Sequence, residues 1–234
     1  MFEIHAKDGR ARTGFLCTAH GKLKTPFYMP VCTKAAAKDL TPEELEACGI
    51  RSIISNGMLL GLRPGADLIS AHGGIHSFMH WNGGVFTDSG GFQILSDDFL
   101  IKKSDEGILF KNPYDGQTLL LRPEDSIAWQ HKIGSDVAMM LDDVPRYGVS
   151  KDEARDSLAR TTAWLQRNIQ AHQEGKKVNP GQMLFGIGQG GIYEDLRQES
   201  AETLVTSEVD GFAIGGLAIG EPPAKMFHAI DIQT

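Results

Sequence analysis

Cysteine is scarce: Cys17, Cys32 and Cys48 are the only three in 234 residues. Their odd number and their spacings of 15 and 16 fit neither a disulfide framework nor the short paired spacings of a zinc site. That usage points to a reduced, cytoplasmic chain. Basic charge is also short. The 23 Lys and Arg against 30 Asp and Glu give −7, which excludes a basic nucleic-acid surface spread over the whole chain while leaving room for a local strip. No apolar run approaches the roughly 20 residues needed to span a bilayer. The start "MFEIHAKDGR" lacks the basic, apolar, small-residue layout of a signal peptide. No G-x-G-x-x-G opens a helix after the first strand, which argues against a dinucleotide-binding domain. What remains is an ordinary globular composition, 41% hydrophobic and 23% charged, long enough for a large core in one or two domains.

Residues 1–25 read as a small N-terminal antiparallel β element, broken by turns at Asp8-Gly9 and His20-Gly21. From 26 to 234 a strand–helix rhythm sets in. The apolar "FYMPVCT" (27–33) leads to Thr41-Pro42-Glu43-Glu44, where Thr41 caps a helix and Glu44 completes a capping box. Strand-like runs follow at "RSIISN" (51–56), "GGVFTD" (83–88) and "SDVAMMLD" (135–142), the last after a helix from Pro123 to Gly134. Ser150 and Glu153 open another helix, with Ala154, Leu158, Thr161, Leu165 and Ile169 on one face. "MLFGIGQ" (183–189), a helix over about 193–208, and "GFAIGG" (211–216) complete the series.

The strands are continuous apolar runs, as a parallel sheet covered on both faces requires. Repeated βα units mean a doubly wound sheet or a TIM (β/α)8-type barrel. The polar residues decide between them. Asn56, Asp88, Asp142, Gln189 and Gly215-Gly216 all fall at C-terminal strand ends, which in a barrel converge on one mouth. We therefore expect an α/β barrel, truncated after about six βα units.

Each of these signals has a plain structural reading. Asp88 before Ser89-Gly90 suits a turn acid; Asp142-Asp143 suits a solvated loop pair or a metal pair; Gln189 before Gly190-Gly191 suits a loop amide. Taken together they place two carboxylates, an amide and glycine-rich turns on one rim. Such a rim suits a planar ligand with mixed donors and acceptors. A guanine-like base offers an N–H and an exocyclic amine to a carboxylate and a carbonyl to backbone N–H groups, with Phe92 available to stack on its face. A metal is not expected here: His72, His76 and His80 have helical i, i+4, i+8 spacing, but Gly73-Gly74 breaks the helix that would align them.

At this point longer motifs carry a resemblance. "TDSGGFQ", "GSDVAMMLDDV", "LFGIGQGGIYEDLRQESAE" and "GFAIGGLAIGE", with "GLRPGADLI" (61–69) and "NPYDGQTLLLRPEDSIAWQ" (112–130), resemble the tRNA-guanine transglycosylases over roughly residues 10–225. The resemblance implies a TIM-barrel transferase that exchanges guanine at the anticodon wobble position of tRNA for a 7-deazaguanine. On this implication Asp88 is the catalytic proton acceptor and a substrate contact. Ser89, Gly90, Gly91 and Phe92 line the base pocket, Asp142 accepts hydrogen bonds from the base, and Gln189, Gly216 and Leu217 hold its remaining edge. The chemistry suits such a rim. The ribose anomeric carbon needs a carboxylate nucleophile while one base leaves and another enters, and the departing base needs directed N–H donors.

The sequence departs from the family in three respects. The nucleophilic Asp of a stretch resembling "DMFDCVLPT" is not among these 234 residues. Nor is the C-x-C-x-x-C of the family's zinc site, so no cofactor is expected on this chain and zinc is expected only in that further region. The expected readings are a truncated enzyme, a split-enzyme half acting in a homo- or hetero-oligomer, or a non-catalytic subunit, and the chain alone is expected to be inactive in exchange. Finally, Val144 stands where bacterial members carry Cys, and Gly57 and Met58 stand where Thr and Tyr are usual. This favours a queuosine-type base, with the archaeosine precursor and the bacterial aminomethyl precursor as alternatives. The expected partners are tRNA and the base, with no membrane.

Overall fold

The computed structural model describes residues 1–91, 96 and 98–234; Phe92, the expected stacking ring, lies outside them. The N-terminal strands β1 (Phe2–Asp8), β2 (Ala11–Thr18) and β3 (Gly21–Lys24) pair antiparallel in that order. Their connections are the two turns at Asp8-Gly9 and His20-Gly21. The helix α1 (Pro42–Ala47) begins with the full capping box: Thr41 Oγ1 accepts the Glu44 N–H and the Glu44 carboxylate accepts the Thr41 N–H.

Strand β4 (Ser52–Asn56) feeds α2 (Gly57–Leu60), an irregular turn at Gly61–Gly65, and α3 (Ala66–Ala71). Gly73 and Gly74 end that helix, and α4 (Gly74–Met79) starts afresh before β5 (Gly84–Asp88). Three antiparallel strands follow that the sequence reading did not anticipate: β6 (Leu100–Ser104), β7 (Gly107–Lys111) and β8 (Thr118–Leu121). The chain continues through α5 (Pro123–Ile133), β9 (Val137–Met139), α6 (Lys151–Gly175) and β10 (Met183–Gly188). It closes with α7 (Glu194–Val205), β11 (Gly211–Ile214) and α8 (Pro223–Gln233).

The main sheet is parallel, in the order β11-β10-β9-β5-β4, which bears out the α/β class. It has five strands among the described residues, not six. "FYMPVCT" forms no strand of its own but lies along β4 through a bridge at Val31 and Ile54, with Cys32 N–H donating to Ile54 C=O, Ile54 N–H to Pro30 C=O and Asn56 N–H to Thr33 C=O. Pro26 and Pro30 have no N–H to give a ladder, and Tyr28 and Val31 stay exposed. β11 also departs from the buried-run expectation, because Phe212 is 52% exposed.

The chain divides into two compact units. The first comprises Met1–Gly90, Ala128–Ala138 and Glu174–Met183. Its core is Cys32, Leu45, Ile53, Leu60, Ile69, Ile75, Trp81, Val85 and Ile133, all buried. The second comprises Gly91–Ile127, Met139–Gln173 and Leu184–Thr234. There α6 lays Ala154, Leu158, Thr161, Leu165 and Ile169 inward, the face its periodicity predicts, and Trp164 is fully buried beside them.

Candidate active site

The expected site residues fall into two groups. In the first unit, Asn56 and Asp88 end β4 and β5 and are register partners. Asn56 is buried and its Oδ1 caps α2 by accepting the Leu59 N–H at 2.7 Å. Asp88 is half-buried, and its Oδ1 accepts the Gly90 N–H at 2.9 Å, so the turn role and the candidate catalytic role meet in one carboxylate. Ser89 and Gly90 are buried, as is Gly91, the first residue of the second unit. Gly90 has φ +80°, and a Cβ there would lie 2.2 Å from Met58 Cβ, so the turn accepts no larger residue. Gly57 is equally constrained, since a Cβ would come 2.7 Å from the Asp88 carbonyl oxygen.

In the second unit the structure brings Asp142, Gln189 and Gly216 together. Asp142 follows β9 and is buried; Gln189 follows β10 and is fully buried. Gln189 Nε2 donates to Asp142 Oδ2 at 2.5 Å, while its backbone N–H donates to Ser200 Oγ at 3.0 Å. Gln189 Oε1 has no hydrogen-bond partner among the described residues. Gly216 has φ +66°, and a Cβ would sit 2.2 Å from that same Oε1, so only glycine leaves the amide its place. Leu217 beside it is half-buried.

Burial pushes the Asp142 carboxyl up to about 6; the Gln189 hydrogen bond opposes this and the neighbouring Asp143 charge adds to it. The two aspartates have different surroundings. Asp143 is buried and ion-paired with both Lys103 and Arg160, its N–H donates to Thr161 Oγ1 at 2.9 Å, and its carbonyl accepts from Ser157. Neither aspartate is solvated, which corrects the loop-pair reading. Asp142 faces an amide while Asp143 is saturated by cations.

Two residues that sequence reasoning passed over organise this group. Arg197 of α7 is fully buried. Its guanidinium donates to the carbonyls of Gly191 (2.6 Å), Gly188 (3.2 Å), Gly215 (2.8 Å) and Gly216 (3.4 Å), and to Gln233 Oε1 (2.7 Å). It thereby ties the ends of β10 and β11 together, and burial lowers its pKa to about 10. Glu221 accepts the N–H groups of Ala218 and Ile219 and fixes the turn after Leu217. The available signal for Arg197 was a lone Arg between Leu196 and Ser200 on the inward face of a helix starting just beyond Gln189. Next to Gly216 a cavity of about 200 Å³ opens, lined by Tyr147, Tyr193, Ile219, Glu221 and Lys225 among others.

The histidines of "AHGGIHSFMH" do not meet one another as ligands. His72 Nδ1 lies 2.8 Å from the Leu68 carbonyl, His80 ends α4, and His76 faces Asp136. The family's zinc site does not fit the residues present: C-x-C-x-x-C is absent, Cys32 is buried and Cys48 exposed.

A parallel α/β sheet whose strand ends hold a buried carboxylate–amide pair against a glycine turn defines an α/β protein of the class that places its polar binding groups at the C-terminal ends of its strands. The comparisons narrow this class. The Queuine tRNA-ribosyltransferase family profile matches residues 7–234, and the chain belongs to that family. It is 49% identical to a queuine tRNA-ribosyltransferase of Dichelobacter nodosus over 94% of this chain and 59% of that protein. Proteins of the same name in Hydrogenovibrio crunogenus and Thermosynechococcus vestitus are each 44% identical, over 98% and 96% of this chain and 61% and 58% of theirs. The chain thus spans about three fifths of the length of the curated relatives it matches.

Proposed function

We propose that this chain carries the base-recognition part of a tRNA-guanine transglycosylase, which replaces guanine in the anticodon of tRNA with a 7-deazaguanine. The observation that supports it most is the buried Asp142–Gln189 pair, with the Gln189 carbonyl oxygen left over and Gly216 required beside it. An ionised Asp142 accepts the ring N–H and exocyclic amine of a guanine-type edge. The Gln189 amide and the Gly216 backbone meet the rest of that edge. Adenine offers neither the N–H nor the 2-amine, and leaving buried polar groups unpaired is what makes such a site reject the wrong base.

In this reading Asp88 takes up and returns the proton that the exchanging bases carry, with the Ser89-Gly90 turn holding its carboxylate in place. The covalent nucleophile and the zinc site belong to family stretches outside these 234 residues. The barrel architecture, the tRNA partner, an oligomer and a cytoplasmic location are part of the proposal. Among the described residues no helix is long and apolar enough to cross a membrane. The cavity beside Gly216 gives a substituent on the base somewhere to go, which supports a queuosine-type base over unsubstituted guanine as the inserted one.

Calorimetric titration of guanine, 7-deazaguanine derivatives and adenine into the chain tests the reading. Guanine-type bases are expected to bind and adenine to give no heat; equal binding of adenine contradicts it.

A further inference from the structure

Asp136, immediately before β9, is fully buried at the end of β5 opposite to Asp88 and plays no part in base recognition. Two backbone groups hold its carboxylate: the Val85 N–H donates to Oδ2 at 2.9 Å and the His20 N–H to Oδ1 at 3.3 Å. Two imidazoles face the same oxygens. His20 Nδ1 lies 2.8 Å from Oδ1 and His76 Nε2 lies 3.1 Å from Oδ2. Their rings are stacked, with centroids 3.4 Å apart and planes 16° from parallel. The three side chains come from the β2–β3 turn, from α4 and from the approach to β9, so nothing in their local sequence requires them to meet.

We propose that His20 Nδ1, His76 Nε2 and the Asp136 carboxylate bind one borderline divalent cation of the zinc class, with its fourth position open to solvent on the His20 side. Ligand atoms of the three lie within 4.8 Å of one another. Tetrahedral bonds of about 2.0–2.2 Å hold donors about 3.3–3.6 Å apart, so the site closes on an ion only if the donors draw together by up to about 1.5 Å and the two stacked rings turn to aim their nitrogens at it. The His20 side chain is 41% exposed, which supplies both the slack and the entry path. Two imidazoles and one carboxylate suit zinc, cobalt or nickel, and two nitrogen donors exclude magnesium and calcium. The two backbone N–H groups play the part of outer-sphere partners, keeping the carboxylate oriented whether the imidazoles turn protons or lone pairs toward it. Without an ion, ring N–H groups satisfy the carboxylate; an ion replaces those protons and ties the β2–β3 turn to α4 and to the sheet.

The test uses metal-free full chain at pH 7.5, titrated with Co²⁺ and then Zn²⁺, alongside His20→Ala and His76→Gln. One Co²⁺ per chain with visible ligand-field absorption, displaced by Zn²⁺ and unaffected by Mg²⁺, is the expected result. Loss of a ligand should weaken affinity at least about 100-fold, more than the about 10- to 100-fold of an outer-sphere loss. In the unmutated chain, Co²⁺ should shift the imidazole proton resonances of His20 and His76, a readout that needs no variant to fold. Absence of stoichiometric binding, equal binding by His20→Ala, or unshifted His20 and His76 resonances overturns the proposal.

Discussion

Asp142 and Asp136 are both buried carboxylates, and they titrate in opposite directions. Burial lifts Asp142 from an ordinary 3.8 to about 6. Between those values the folded chain keeps a proton the unfolded chain has released, so this group's contribution to stability falls as pH rises through that window. The gap amounts to on the order of 3 kcal/mol at most, present as a cost at neutral pH. We therefore predict that Asp142→Asn raises the urea midpoint at pH 7.5 while weakening guanine binding at least tenfold, because two charge-assisted hydrogen bonds are lost at about 1.5–3 kcal/mol each. Guanine binding by the unmutated chain should likewise fall below about pH 6. For Asp136, burial pushes the carboxyl up, but the His76, His20 and Val85 donors hold it below the usual range. Its stabilisation is present above the unfolded value and is lost as pH falls through the folded one. Asp136→Asn should flatten the acid limb of a stability–pH profile measured by urea unfolding.

At the scale of elements, the glycine turns after β10 and β11 depend on α7. Arg197→Leu keeps the helix and its apolar fill but strips four glycine carbonyls and Gln233 of a donor. Buried acceptors left unpaired cost about 1–3 kcal/mol each, so a loss of about 3 kcal/mol or more in urea unfolding is expected, with base affinity weakened as the Gly215-Gly216 turn loosens. The N-terminus of α6 is simpler. Ser150 and Glu153 bond reciprocally, and Ser150→Ala should cost about 1 kcal/mol. Both capping boxes and the inward face of α6 were legible because cap chemistry and helical period are local. The antiparallel β6–β8 sheet was not: its connections at Asp105-Glu106 and at Asn112-Pro113 with Asp115-Gly116 carry turn residues, but "LIKKS" and "TLLL" are short and show no polar–apolar alternation to mark them as strands. "FYMPVCT" misled for the converse reason: its apolar content reads as strand, while Pro30 within it and Pro26 just before it limit the ladder it can form.

Over the whole molecule, the proposed site residues stand out in the sequence more readily than the residues that hold them. Asp88, Asp142, Gln189 and Gly216 stand at strand ends, where an acid, an amide or a glycine interrupts an apolar run and draws notice. Arg197, Asp136 and His20 act through partners distant in sequence, 18 residues on for Gly215 and 116 for the His20–Asp136 pair, and no spacing rule reaches that far. The central claim is that Asp142 reads a guanine-type base through its ionised carboxylate. The most direct measurement is calorimetric titration of guanine into the unmutated chain and into Asp142→Asn, at pH 7.5 and pH 5. The account predicts binding by the unmutated chain at pH 7.5, weaker binding at pH 5, and a loss of at least about tenfold in Asp142→Asn at pH 7.5. Guanine affinity that is the same in both proteins and at both pH values would contradict it.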